Sequence, residues 1–294
     1  MQRLLSIDGN RRMNSKRLSL SWFILLAITL VRCVPIELGQ GTGYVIRGEN
    51  VYYFQNGGGY QRYAVGELLP EAEARTFRIV DAFGYAMDAH HVYYEGKIIP
   101  NAEAATFERL GCGYARDRQQ VYTYQNVLEG AKLASFQMIG GCFARDDEHV
   151  YVGGVVINDA QPDSFELLVP SGLTTGIYAR DRQHVYRWGV VMEGAEAASF
   201  QVLGYTGCDH QGEYYTRDKQ HVYFFGDVIP GVDAATFQML GECGYAKDVQ
   251  RVYFESQVLA GADPATFQVL DQGRARDKND CYLSGHVTSA EICN

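Results

Sequence analysis

The sequence predicts an all-β fold: tandem repeats of short antiparallel β-hairpins stacked as an open, solenoid-like array, with a small-bladed β-propeller as the alternative. Three observations carry that expectation. A unit of about thirty residues recurs along the chain, each copy holds strand signals punctuated by tight turns, and neighbouring strand residues constrain both faces of a sheet.

The recurring unit is marked by an Asp four residues before a Val-Tyr pair. It appears as Asp88 with Val92-Tyr93, Asp117 with Val121-Tyr122, Asp146 with Val150-Tyr151, Asp181 with Val185-Tyr186, Asp218 with Val222-Tyr223 and Asp248 with Val252-Tyr253. Asp277 with Cys281-Tyr282 is a variant. In six units a Phe follows the Val by fifteen residues, at Phe107, Phe136, Phe165, Phe200, Phe237 and Phe267, with no insertion in that stretch. Successive Asp anchors lie 29, 29, 35, 37, 30 and 29 residues apart, so length varies only between the Phe and the next Asp. The longer spacers, around "VPSGLTTG" and "YTGCDHQGEY", are expected to be loops on one edge of the array. A degenerate first unit carries Val51-Tyr52 and Phe77, with Arg47 in place of the Asp and an insertion near "QNGGGYQRYAVG". Eight units, the last cut short, fill residues 36–294.

Each element of the unit has its own signal. "HVYYEGKII" at 91–99 places β-branched and aromatic residues on either side of Glu95-Gly96, the pattern of two strands joined by a two-residue turn. Gly153-Gly154, Trp188-Gly189 and Ser284-Gly285 occupy the same place in other units. Upstream, "GYARD" at 113–117 predicts a second short strand, connected to the next by "RQQ". The "FERLG" type of segment predicts a further strand, while "NAEAAT" and "GADPAT" suit a loop with one helical turn. The Val and Tyr of each pair are adjacent, so in a strand they face opposite sides of the sheet. A sheet covered on both sides, or hairpins stacked in layers, satisfies both. One unit alone buries too little apolar surface to be stable, and stacked neighbours supply the core. The chain also begins and ends in phase, with "IELG" at 36–39 resembling the "FQVLG" strand; that and the count of eight keep the propeller as the alternative.

Residues 1–17 are basic and polar, and "LSLSWFILLAITLV" at 18–31 is a fourteen-residue apolar run bounded by Arg17 and Arg32. A membrane span needs about 20 residues, so the run fits the core of a signal peptide or an N-terminal membrane anchor. Cys33 follows Arg32, where a lipoprotein signal wants a small residue, so cleavage near Cys33 or retention as an anchor is the expectation. Residues 34–294 are then exported, to the periplasm or cell envelope, with the membrane reached only through the N-terminal segment. Without residues 1–33 the chain holds 20 basic against 34 acidic side chains, a formal charge of −14, which disfavours nucleic acid and anionic surfaces as partners. Six cysteines remain beyond Cys33. An even count in an exported domain suggests disulfides. Cys112 with Cys142 and Cys281 with Cys293 are the neighbours expected to pair, leaving Cys208 with Cys243. No C-x-x-C or H-x-x-x-H spacing supports a metal site.

The anchor resembles that of the DKNYY family of bacterial exported repeat proteins. "DKNDCY" at 277–282 and "DKQHVYF" at 218–224 are the nearest copies, "DAHHVYY" at 88–94 keeps the frame, and the resemblance spans nearly all of residues 36–294. It implies an envelope-associated or secreted repeat protein and carries over no catalytic residues.

Seven recurrent carboxylates invite a calcium hypothesis, but one Asp per unit falls short of the 6–8 clustered oxygens that calcium takes. An Asp opening a turn accepts backbone N–H groups just downstream, and that role is expected. Tyr93, Tyr122, Tyr151, Tyr186, Tyr223, Tyr253 and Tyr282 recur as an internal ladder between units would need. His90, His91, His149, His184 and His221 fall in the anchor turn as solvated residues. Binding residues are sought among those that do not recur: Trp188 at a hairpin tip, His210 in the long spacer, and Tyr60 and Tyr63 in "GGGYQRY" at 57–63. No catalytic signature stands in a suitable context, so no catalytic residue, cofactor or metal is expected. The function expected is a non-enzymatic exported repeat protein presenting an extended surface to another envelope protein. The alternative is a glycan- or cell-wall-binding module using exposed Tyr and Trp188.

Overall fold

Each repeat folds into one small antiparallel sheet, because runs of two to five β-forming residues alternate with residues that accept the backbone of a tight turn. The computed structural model describes residues 43–54, 66–168, 177–205, 214–241 and 243–293. We number the sheets as units 1 to 8 along the chain. Unit 3 is typical, with strands Glu108–Gly111, Tyr114–Arg116, Val121–Thr123 and Asn126–Val127 side by side in that order. Units 2 to 8, spanning residues 78–98, 108–127, 137–156, 166–191, 201–228, 238–258 and 268–288, all have four strands. Unit 1 has three: Tyr44–Arg47, Asn50–Tyr53 and Glu67–Leu69.

In units 2, 4, 5, 6 and 8 the last two strands meet at a two-residue turn with both residues at positive φ, as at Glu95 (47°) and Gly96 (80°), the twist that matches a hairpin. The second residue of these turns is glycine, whereas units 3 and 7 have Gln125 and Ser256 there, and the glycine serves for room as well. A Cβ on Gly189 would lie 2.6 Å from the Val152 side chain of the preceding unit. Tips of successive units therefore touch.

The connectors between units form turns, not the expected helical turn. Thr106 N–H bonds to Glu103 C=O at 3.1 Å, but the Glu103 N–H is diverted to the Asp117 carboxylate of the following unit at 2.9 Å. So short a segment does not sustain a helix, and its first N–H groups, which no helix would pair internally, serve the anchor. Among the described residues the one helical element is the 3₁₀ turn Ala290–Cys293.

The Val-Tyr pair explains the stacking. Val92 packs toward unit 3 with Tyr85, Ala115 and Tyr122, whereas Tyr93 packs toward unit 1 with Tyr44, Val51 and Phe77. Both faces of an internal sheet are thus buried. Seven apolar clusters result, one between each successive pair of units, and none among the described residues joins unit 8 to unit 1. The array is an open linear stack and not a ring.

At every interface the connector Phe sits between two rings, one from each sheet. Phe107 lies 5.6 Å from Tyr85 and 5.8 Å from Tyr122, and Phe136 lies 5.7 Å from both Tyr114 and Tyr151. Tilted pairs of this kind add about 0.5–1.5 kcal/mol beyond their burial.

The two ends differ. In unit 8 the outward-facing Tyr and Val positions hold Arg274 and Cys281. The 3₁₀ turn covers them through an Arg274 Nη1 bond to Ile292 C=O at 3.0 Å and the Cys281–Cys293 disulfide. A polar terminal repeat of this type closes a solenoid. In unit 1 the outward face keeps Val45, Tyr52 and Leu68 directly opposite one another across its strands.

Residues 1–33, "IELG" and most of the two long spacers lie outside the described residues. No helix among the described residues is long and apolar enough to cross a membrane.

Candidate functional site

A meander sends alternate turns to opposite edges of each sheet, so the stack has two edges, and their chemistry differs. One carries the anchor turns. Asp117 Oδ1 accepts the N–H groups of Gln119 (2.7 Å) and Gln120 (2.9 Å), and its Oδ2 accepts the Tyr122 hydroxyl (2.7 Å) and the Glu103 N–H (2.9 Å). Burial alone would raise the carboxyl, but these bonds outweigh it and hold Asp117 below the usual carboxylate range. Burial, and then the adjoining carboxylate, push the Tyr122 phenol up to about 12. Asp88, Asp146, Asp181, Asp218 and Asp248 are equally buried, 3–5% exposed, and make the same four bonds. Asp277 has the same partners but is only half-buried. With four donors on two oxygens, each anchor is both a turn cap and a clamp on the preceding unit.

Two further recurrent ties lie on this edge. The hydroxyl before each Phe accepts the N–H after the next anchor, as from Arg118 to Thr106 Oγ1 and Asp147 to Ser135 Oγ, each at 3.2 Å. The basic residue before the anchor reaches a carbonyl of the following connector: Arg145 to Pro162 at 2.8 Å, Arg180 to Ala197 at 3.0 Å and Lys247 to Pro264 at 2.8 Å. Ion pairs Arg118–Glu103, Lys132–Glu148, Arg182–Asp163 and Lys278–Asp263 cross the same interfaces. His91, His149, His184 and His221 are half-buried here, with Nδ1 3.5–3.9 Å from an anchor carboxylate. His90 is the more solvated one.

The opposite edge carries the hairpin tips and is apolar over its middle. The first tip residue adopts positive φ in every complete unit, and in units 3, 5 and 6 it is Tyr124 (53°), Trp188 (50°) and Phe225 (59°). Bulky side chains are disfavoured in that region by about 1–2 kcal/mol, and these are buried only in part, at 43%, 51% and 46% exposed. Val155, Val190 and Val228 extend the row and are also exposed. In units 2, 7 and 8 the equivalent tips are Glu95, Glu255 and Ser284, followed by Lys97, Gln257 and His286. Two of these tip rings rest on a strand residue of the preceding unit: Arg187 lies over the Phe225 ring at 5.4 Å and Tyr94 meets Tyr124 at 5.6 Å.

The tyrosine that opens the second strand secures this edge from within. Tyr85 donates to the Gly113 and Tyr124 carbonyls of the next unit, both at 2.8 Å, and Tyr114 accepts the Gly154 N–H at 2.7 Å. Tyr215 bonds to the Gly244 and Glu255 carbonyls. The recurrent Gly-Tyr pair was the sequence signal for this tie, and reasoning from the Asp anchor passed over it.

Of the candidate binding residues, Trp188 sits in the apolar row, whereas His210, Tyr60 and Tyr63 lie outside the described residues. The seven recurrent Val-Tyr tyrosines are 1% exposed or less, so their ring faces are not available to a ligand. Cys112–Cys142 joins units 3 and 4 at the tip edge with Cα atoms 5.2 Å apart, and Cys281–Cys293 spans 6.1 Å. Cys243 is also disulfide-bonded, and Cys208 lies outside the described residues. No group of three metal-ligating side chains occurs among the described residues.

A family model described as the DKNYY family matches residues 37–126 and 114–257. No curated protein and no solved structure matches the chain.

Proposed function

The chain belongs to the DKNYY family, and on that premise we propose that it is a non-enzymatic exported repeat protein whose row of hairpin tips docks another protein of the cell envelope. One observation carries the reading: Tyr124, Trp188 and Phe225 hold strained backbone and exposed rings together. Left-handed backbone at half-exposed aromatic residues is a feature that clusters at functional sites. Tyr and Trp are also the side chains that most often dominate protein interfaces. The anchor carboxylates are buried in bonds to the preceding unit, whereas the tip edge presents exposed aromatic rings, which favours it as the docking surface. Export is supported by the disulfides, which persist in oxidising compartments, and by the apolar run at 18–31.

The alternative, a glycan-binding module using exposed Tyr and Trp188, draws on the Trp188 and Tyr124 rings at exposed tips. A photo-crosslinking residue placed at 188, and as a control at 148 on the anchor edge, separates the readings in host cells. A discrete protein adduct from 188 and none from 148 is expected. Equal labelling from both positions, or no protein adduct from 188, overturns the docking reading. Adducts from 188 confined to cell-wall glycan transfer the function to the alternative.

A further inference from the structure

The tyrosine tie at the tip edge is missing from one interface. The position is Tyr44, Tyr85, Tyr114, Tyr178, Tyr215 and Tyr245 at six interfaces and Phe143 at the seventh, between units 4 and 5. Phe143 is fully buried and packs on Phe165 at 5.9 Å, so the ring stack is kept while the hydroxyl is absent. At the interfaces of Tyr44, Tyr85, Tyr114, Tyr215 and Tyr245 that hydroxyl spans to the next unit, as Tyr245 does to Gly273 C=O at 2.9 Å and from Gly285 N–H at 3.0 Å. The corresponding groups of unit 5 are the Ile177 carbonyl, which keeps its bond from Trp188 N–H at 2.8 Å, and the Gly189 N–H.

The anchor edge of the same interface is intact. Gln161 N–H reaches Asp181 Oδ2 at 3.0 Å, Arg182 N–H reaches Ser164 Oγ at 3.4 Å, and Arg145 reaches Pro162 C=O at 2.8 Å. The neighbouring interface, between units 3 and 4, has both the hydroxyl tie and the Cys112–Cys142 bond at its tip edge. A weakened contact thus directly follows a covalently closed one.

We propose that the interface between units 4 and 5 is a built-in joint, opening at the tip edge while the anchor edge stays closed. The joint lies beneath the most apolar stretch of the tip row, where Gly189 rests on Val152 and Ile157. Opening uncovers Ile157 and Phe143 beside Val155, Trp188 and Val190, so the exposed apolar surface enlarges where the row is already widest. The inference does not depend on the docking reading, since it concerns the protein without a partner.

Hydrogen exchange of the purified full-length protein, followed by mass spectrometry, tests it. Peptides covering 152–157 and 186–192 should exchange roughly tenfold faster than the equivalent 94–99 and 254–259, the effect of one or two missing hydrogen bonds. Phe143→Tyr should slow the first pair toward the others. Tyr245→Phe should create a second fast site at 254–259 and 283–288, which keeps the test decisive if the first variant packs badly. Uniform exchange at all interfaces overturns the joint, as does acceleration by Tyr245→Phe without faster wild-type exchange at units 4 and 5.

Discussion

Replacing Asp117 with Asn removes the charge of one anchor while keeping its shape. The amide oxygen can still accept the Gln119 and Gln120 N–H groups, which fixes the amide nitrogen where Oδ2 had been. There it faces the Glu103 N–H and the Tyr122 hydroxyl, both donors at 2.9 and 2.7 Å. The hydroxyl can turn to accept from the amide as well as from Gln120 Nε2 at 3.0 Å, but its own hydrogen then loses the Asp117 acceptor. Two buried donors lose their acceptor at about 1–3 kcal/mol each, so the expected cost is about 2–5 kcal/mol. Urea denaturation of the purified protein, with Asp147→Asn on the exposed side of the next anchor turn as the control, measures it. A loss below about 0.5 kcal/mol, the range of ordinary surface substitutions, would refute the account of the anchor as a four-bond clamp.

Phe136→Ala should cost about 3–5 kcal/mol, because it removes the ring between Tyr114 and Tyr151; the same denaturation assay reads it. The pH profile should have two limbs. The anchor carboxyls are held below their unfolded values, so their contribution is full above the unfolded value of about 4 and is lost as pH falls through the lower folded ones. The buried phenols are raised, so theirs is full below about pH 10 and is lost as pH rises beyond it; thermal melts across pH 2–12 would show both limbs. Reduction should destabilise by about 3–4 kcal/mol through Cys112–Cys142 and about 3 kcal/mol through Cys281–Cys293, from the loops that they close, and the second loss should be confined to unit 8 in hydrogen exchange. Trp188→Asn should be neutral or stabilising by up to about 1 kcal/mol, since Asn accepts the left-handed backbone, yet should lower partner crosslinking from position 225. Unchanged crosslinking would remove Trp188 from the docking surface.

Much of the fold was legible because each unit repeats its signals. The Val-Tyr pair alone implied two buried faces, and the fixed fifteen-residue step to Phe marked the ring that fills each interface. Openness of the stack was less so. It rests on what replaces the stacking residues at the last unit, and Arg274 and Cys281 read simply as drift until the 3₁₀ turn is seen lying over them. The clamp by each anchor on the preceding unit was also hidden, because its partner is a backbone N–H, as at Glu103, which carries no side-chain signature. Thr106, Ser135 and their equivalents did leave a signature, a hydroxyl before every Phe, but one that composition alone makes look ordinary. At the surface, Trp188 stood out by its rarity. Tyr124 and Phe225 did not, since their strain appears only once the backbone angles are known.

The sealed eighth unit also bears on how such a chain changes length over generations. A unit added after Cys293 would meet a capped face with no ring to receive its Phe, whereas the seven interfaces farther in all place a Phe between two rings. Duplication or loss of whole units is therefore neutral to the fold between anchors and costly beyond the last one. The ring stack can repeat at any inner layer, whereas the capped face of unit 8 cannot extend it.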